Sequence, residues 1–419
     1  MDTNKANHRF FYGYIIAAAG FITWFFGWGT YVVCFGVFFK PLLVEFHWRR
    51  AEISLAYSIF LFTQAALGIT MGWLTDKLGP RILVTIIGSC LGWSLILVSQ
   101  VSSLWQFVIS FAVVGGIGAS ILNVPIMATV TRWFVKRRGL MTGIVQSGIG
   151  IGGFFLAPFT GWLVLHYGWR TASIILGFMT AALMILAGSV LVRDPGKIGQ
   201  SPDGIWIEIP HQMDSGKNHN RYPRLPLNMW MRSPSFWMLT GIYASIGYIR
   251  STFTAHVAAH VQDLGFSLSD GATVLAIIAA GGILGRIGMG RLGDMIGNRK
   301  TLIISYTTMT LIIIWLLRSA RLWELYLFGI VYGFGWGGLA VVRFAITAEV
   351  FGLASVGLIM GVLGFSDSLA ATFSSYFGGF VFDRMGNYNA AFILCIAISM
   401  LGLFLSWRLR PLQAKHEEA

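Results

Sequence analysis

Four ionisable side chains stand far from the ends of long apolar stretches, and all four lie in the second half of the chain: Arg250, Arg286, Arg343 and Asp367. A charge at the centre of a hydrocarbon layer costs about 2.5–3.5 kcal/mol on insertion scales, so such residues turn toward protein or water and mark a ligand or ion path. Three guanidiniums against one carboxylate favour an anionic ligand and argue against an organic cation. Arg286 precedes Asp294 by eight residues, about 12 Å at helical rise. Its planar fork suits a carboxylate held by two hydrogen bonds, and Gly281, Gly282, Gly285 and Gly288 leave room beside it. A structural ion pair with Asp367 is the other reading of Arg286. Burial and a nearby arginine act in opposite directions on the proton affinity of a carboxyl group. Asp367 therefore suits a proton site that, when filled, releases Arg286 for the anion; a purely structural aspartate is the alternative. Arg250 and Arg343 divide evenly between a second cationic site and helix-packing ion pairs.

His256 and His260 are four residues apart, hence on one helix face. Imidazoles titrate near neutrality, so they can relay protons or donate to a carboxylate; lining a watery vestibule near a helix end is the plainer account. Two histidines at this spacing also fit zinc, but no third ligand stands nearby, so neither metal nor cofactor is expected. The first half offers neutral groups. Asn123, two residues before Pro125, has an amide able to meet carboxylate or hydroxyl oxygens where the helix is expected to be irregular. Gln146 and Tyr31 are candidates of the same kind, with packing as the alternative for each. Trp24, Trp28, Tyr332 and Trp336 are an aromatic set for an apolar wall, Tyr332 being the ligand candidate among them.

Long apolar elements must carry these groups. Of 419 residues, 56% are hydrophobic and 11% charged, against roughly a quarter charged in a soluble domain. A soluble enzyme and a secreted disulfide scaffold are thereby excluded. Apolar runs of about 20 residues, enough to cross a ~30 Å core, are predicted near 12–39, 52–75, 81–100, 104–131, 139–166, 170–192, 234–262, 270–291, 300–318, 322–349, 356–382 and 389–408. Twelve spans put both termini on one side. Twenty of the 30 Lys and Arg residues fall in loops and tails on that side and seven on the other, so the termini are expected to be cytoplasmic. This placement makes the net charge of +13 a topology signal, and nucleic acid drops out as a partner. The first run is too long for a cleaved signal peptide. Cys34, Cys90 and Cys395 sit far apart in apolar stretches, which predicts packing thiols and no structural disulfide. Residues 193–232 turn polar and are read as a linker, with a short interfacial segment at 205–209, between a six-helix bundle over 1–192 and another over 233–419. The expected class is an all-α membrane protein of twelve transmembrane helices in two bundles related by a pseudo-two-fold axis.

The halves share a motif. Gly72-Trp-Leu-Thr-Asp76-Lys-Leu-Gly79-Pro-Arg81 follows the second span, and Gly290-Arg-Leu-Gly-Asp294-Met-Ile-Gly297-Asn-Arg299 follows the eighth, with five of ten positions identical. Its glycines permit a tight turn, and its aspartate can accept hydrogen bonds at a helix end while the arginine pairs locally. A parallel six-span repeat is the mark of a transporter that holds its cargo between halves near the midplane. No nucleotide loop, phosphorylation-type ATPase motif or catalytic triad spacing is present. A membrane sensor or scaffold would need an output domain, for which the short tails leave little room.

At these residues the chain resembles the major facilitator superfamily, whose loop motif G-x-L-x-D-x-x-G-x-R it carries twice. More narrowly it is similar to the monocarboxylate transporters and the neighbouring bacterial oxalate/formate antiporter group. That likeness rests on Phe35-Gly-Val-Phe-Phe-Lys-Pro-Leu42, Trp48-Arg-Arg-Ala-Glu-Ile-Ser54, Arg132-Trp-Phe-Val-Lys-Arg-Arg-Gly-Leu140 with Gly143 and Gly148, Ser201-Pro-Asp-Gly204, and Asp383-Arg-Met-Gly-Asn-Tyr388. The resemblance places the family's span-eleven acidic residue at Asp367. Two family positions differ: Val33 stands where the animal transporters carry a substrate-binding lysine, and Gly282 where they carry an aspartate one turn before the arginine. The resemblance implies a monomeric transporter in the cell membrane, carrying a small monocarboxylate such as lactate or pyruvate with a proton by alternating access. Exchange of a dicarboxylate for a monocarboxylate is the alternative it leaves open.

Overall fold

The structure, a computed structural model, describes residues 10–48, 50–204, 230–352 and 356–409, apart from some side chains within helices. The segment proposed at 205–209 lies outside the described residues, as does the side chain of Cys34; Cys90 and Cys395 are unbonded thiols. Among the described residues twelve long helices follow one another. The first six are α1 (Gly13–Phe46), α2 (Arg50–Leu78), α3 (Pro80–Val98), α4 (Leu104–Trp133), and α5 (138–167) with α6 (169–190) from one run over Arg138–Val190. The second six are α7 (Pro234–Asp263), α8 (Leu268–Ile296), α9 (Asn298–Leu316), α10 (Leu322–Phe351), α11 (Val356–Met385) and α12 (Asn389–Arg408). No strand occurs among the described residues.

Local chemistry sets the ends of these helices. Ser103, Ser233 and Ser267 accept from the first-turn amides of α4, α7 and α8, and Asp270 completes a capping box with Ser267. Gly168, at φ +77°, separates α5 from α6, where the sequence places a gap between spans. Gly79 and Gly297 take φ values of +84° and +94°, a region an L side chain rarely adopts, and form the tight turns expected of the repeated motif. Two features depart from regular helix. Leu83–Ile87 in α3 and Val108–Val114 in α4 are π-helical, and α4 loses its helical pattern over 120–123. Pro125 brings no N–H to that turn, which accounts for the break.

Each bundle has its own aromatic core. Tyr31, Phe60, Phe107 and Trp133 fill the first, and Tyr243, Phe253, Tyr306, Phe328 and Phe392 the second. In lipid such packing rests on close contact and hydrogen bonding more than on exclusion of water. The linker's Ser201–Gly204 motif is anchored as well. The Asp203 carboxylate accepts from the backbone of Val135 (2.9 Å) and Lys136 (2.7 Å) in the α4–α5 turn.

At the end of the molecule remote from the termini, Glu45 ties the last turn of α1 to α6. It accepts from Arg170 (2.7 Å) and from the indole of Trp169 (2.6 Å), and Arg170 also donates to the carbonyls of Ser99 and Val101. The Arg170 hydrogen bond, followed by that of Trp169, holds the Glu45 carboxyl below its ordinary value. A carboxyl lowered on folding stabilises above its unfolded value, about 4.3, and the gain is lost as pH falls through the lower folded value. Glu45→Gln is expected to lower the melting temperature slightly at pH 7. Both groups are about 40% exposed, so the effect is under ~1 kcal/mol. The difference should shrink in melting curves as pH falls below about 4.3 and disappear once it is below the lower folded value.

Candidate functional site

The seam between bundles is built from glycine crossings. A Cβ on Gly72 of α2 would meet the carbonyl of Gly357 on α11, and one on Gly139 of α5 would meet that of Gly290 on α8; the reciprocal additions clash as well. Farther along, Gly143 abuts the backbone of Arg286, and Gly361 abuts Gly68. All these contacts lie toward the terminus-bearing end. Positions that continue the same stripes, Phe154 on α5 and Thr372 on α11, are exposed. The bundles thus touch at the terminus-bearing end and diverge toward the other.

Both copies of the repeated motif latch that contact. Asp294, at the end of α8, accepts from the backbone N–H of Gly139 (2.6 Å) and Leu140 (2.8 Å), the first turn of α5. Asp76, at the end of α2, accepts from Leu358 N–H (3.1 Å) in the first turn of α11, and from Arg132 (3.1 Å). Each bundle therefore supplies the carboxylate that caps a helix of the other, satisfying orphan amides and the positive end of the helix dipole. Arg299 donates to the carbonyls of Ser406 and Trp407, the local pairing expected of it, whereas Arg81 is exposed. Gly290→Val forces the α5–α8 crossing apart. It should raise the reactivity of a cysteine placed on the seam face near Gly139 toward a water-soluble thiol reagent, with Gly153→Val, at a position open to a Cβ, as the silent control.

Deeper in the seam the charges are distributed differently from the sequence expectation. Asp367 on α11 accepts from Arg343 of α10 (2.8 Å) through one oxygen and from Arg250 of α7 (3.2 Å) through the other. Arg286 is not its partner. Arg286 is 4% exposed, its guanidinium lies over the Trp336 ring at 4.6 Å, and no carboxylate comes within ion-pair distance of it among the described residues. Its Nε has no hydrogen-bond acceptor there, nor do the indole N–H groups of Trp24, Trp28 and Trp336. Buried donors of this kind are rare and suit an acceptor-rich guest. Arg343 is held in place by its own rings, Phe344 at 4.8 Å and Tyr243 at 5.2 Å.

Other sequence candidates sort by position. Gln146 stays at the seam, where its amide donates to Ala340 O of α10 at 3.3 Å and touches Met127 Sδ. Asn123 opens onto a pocket between α2, α4 and α11. Tyr31 turns into the first bundle's core, stacked on Phe60 and Phe111 with its hydroxyl on Ser94, which corrects its assignment as a seam ligand. Tyr332 is likewise a core residue, 2% exposed and bonded to Ile249 O. His260 packs on Tyr388 and Phe392 within the second bundle, and His256 lies against Tyr388 at 5.1 Å. His260 is buried against α12, whereas His256 is partly exposed and its ring also lies against Gly378 of α11. Among the described residues no cluster of three His, Cys, Asp or Glu forms a metal site. Sequence reasoning missed Gln64, a buried carboxamide facing Asn123 in the same pocket. Its signal was an amide midway along an otherwise apolar span.

Comparison with known proteins agrees with this architecture. The model of the Major Facilitator Superfamily matches residues 16–296 and 284–419. Monocarboxylate transporter 13 of Rattus norvegicus is 27% identical over 371 residues, covering 88% of this chain and 82% of that protein. An uncharacterised MFS-type transporter, YcxA of Bacillus subtilis (strain 168), is 24% identical over 88% of each. Among solved structures, the proton:xylose symporter XylE superposes with a TM-score of 0.73 at 15% identity, covering 95% of this chain and 96% of that one. With two six-helix bundles, a twice-repeated loop motif and a family match spanning nearly its whole length, the chain belongs to the major facilitator superfamily of membrane transporters.

Proposed function

We propose that this transporter carries small monocarboxylates of the lactate or pyruvate type together with a proton, by alternating access. The observation that carries the reading is Arg286, a buried guanidinium at the seam with no carboxylate partner among the described residues. A carboxylate guest would receive its fork above the indole of Trp336. The name of the rat relative, a monocarboxylate transporter, supports the same cargo class. Among the described residues Arg250 and Arg343 share Asp367, and Arg286 alone of the three intramembrane arginines has no anion; a single negative charge on the cargo matches that count.

Proton coupling is assigned to Asp367. Protonation would weaken its hold on Arg343 and Arg250, freeing positive charge near Arg286 as the anion arrives; this replaces release of Arg286 itself. The basic loops support cytoplasmic termini; on that reading the closed end of the seam faces the cytoplasm and the seam opens outward. Residues 1–192 and 233–419 act as two rocking units joined by 193–232, in the cell membrane and as a monomer.

Dicarboxylate/monocarboxylate exchange is the second reading: Arg343 is bonded to Asp367 alone among the described carboxylates, and a second carboxylate could draw it off. Proteoliposomes separate the two. Symport predicts uptake of labelled lactate or pyruvate driven by an inward proton gradient. Exchange predicts counterflow without a pH gradient and no net uptake when the lumen is empty.

A further inference from the structure

A small pocket of about 40 Å³, open on one side, lies at the seam between α2, α4 and α11 and is bordered by Gln64, Asn123, Gly364, Phe365 and Ser368. It contains no charged side chain among its lining residues. Gln64 is 8% exposed, and neither its carboxamide nor that of Asn123 makes a hydrogen bond with the described residues. Ser368 donates to Gly364 O and so keeps lone pairs to offer. Two free carboxamides supply both donors and acceptors with no net charge. That chemistry fits a neutral hydroxyl, keto or amide group, which uses both donors and acceptors, and it disfavours a methyl group. Leaving a buried amide against a methyl group costs about 1–3 kcal/mol, so the pocket discriminates by polarity more than by size. The break in α4 at 120–123 lies at this pocket, and interrupted helices are where transporters of this type expose binding groups.

The pocket and Arg286 share one seam. Gly143 abuts the Arg286 backbone, and a Cβ on Gly150 would come 4.0 Å from Arg286 Nη1. Gln146 lies between these glycines and reaches Met127 of α4, four residues or about 6 Å beyond Asn123. Arg286 is not among the residues that border the pocket, so the pocket stands apart from the guanidinium on the same seam.

We infer that Gln64 and Asn123 form a second subsite, which takes a neutral hydrogen-bonding group several atoms away from the carboxylate held by Arg286. The favoured cargo is then an ω-hydroxy or similarly substituted monocarboxylate, longer than lactate. The inference rests on the carboxylate reading of Arg286 and is tested so that the two fail separately. Binding is measured by thermal shift and competition on the full chain in detergent, using matched pairs: butanoate with 4-hydroxybutanoate, hexanoate with 6-hydroxyhexanoate, and propanoate with lactate. At least one distal hydroxyl should strengthen binding tenfold or more, whereas the lactate pair should differ little. Gln64→Met and Asn123→Leu, close in volume, should collapse the distal ratio to near one, while Arg286→Gln weakens every member. Arg286-dependent binding with no distal preference, or a preference that survives both amide variants, overturns the subsite alone. Binding of no carboxylate, or binding indifferent to Arg286→Gln, overturns the carboxylate reading and the subsite with it.

Discussion

Asp367→Asn is expected to lower the melting temperature of the purified transporter and to flatten the pH dependence of its uptake. The carboxylate is the only anion bonded to Arg343 and Arg250 among the described residues. Removing one partner from a buried ion pair costs about 3–5 kcal/mol, because the charge left behind is uncompensated. The lower end of that range applies here, since the Arg250 side chain is 36% exposed and can draw on water. Asp367→Glu keeps the charge and should retain most of the pH response. A merely structural aspartate would give a different pattern: Asp367→Asn would lose stability, yet proton-driven uptake per folded molecule would keep its pH profile.

Arg286→Gln should act in the opposite sense on stability and far more strongly on binding. An arginine buried without a counter-ion pays desolvation with little return, so the neutral variant should melt at a higher temperature in the absence of substrate. Losing a charged partner at a buried contact typically costs 2–5 kcal/mol, which is roughly a 30-fold to several-thousand-fold loss in carboxylate affinity. Arg286→Lys restores the charge but not the planar fork, and it should recover only part of the binding. Melting curves with and without carboxylate check both effects at once. A variant that melts lower and still shifts with carboxylate would remove Arg286 from the site.

The path from sequence to fold was short for particular physical reasons. Hydrocarbon thickness dictates span length, and a span of about 20 apolar residues is visible in any window. The gap at Gly168 and the turns at Gly79 and Gly297 could be foreseen, because a reversal that tight calls for a residue free of Cβ. The π-helical stretches of α3 and α4 were not foreseen; they change the ladder without changing composition. Within the site, the four intramembrane charges stood out by type, but their pairing did not. Asp367 was matched to Arg286, and the choice between Arg286, Arg250 and Arg343 depends on how helices rotate within a bundle, which spacing along one chain does not report. Tyr31 and Tyr332 failed for the same reason. An aromatic with a hydroxyl reads alike whether it faces the seam or a neighbouring helix. Gln64 escaped notice because an amide carries no charge to flag it.

The reciprocal capping by Asp76 and Asp294 has a kinetic consequence. Each bundle grips the backbone of its counterpart, so if the halves rock as proposed, parting them at this end requires both grips to be released. The energy of parting is then a sum, delivered as a single threshold. On the proposed alternating-access reading, idle excursions away from the closed seam would be suppressed, and a bound guest that lowers this threshold would gain control over turnover. Tight linkage between cargo and gate follows from chain connectivity alone, without a dedicated sensor.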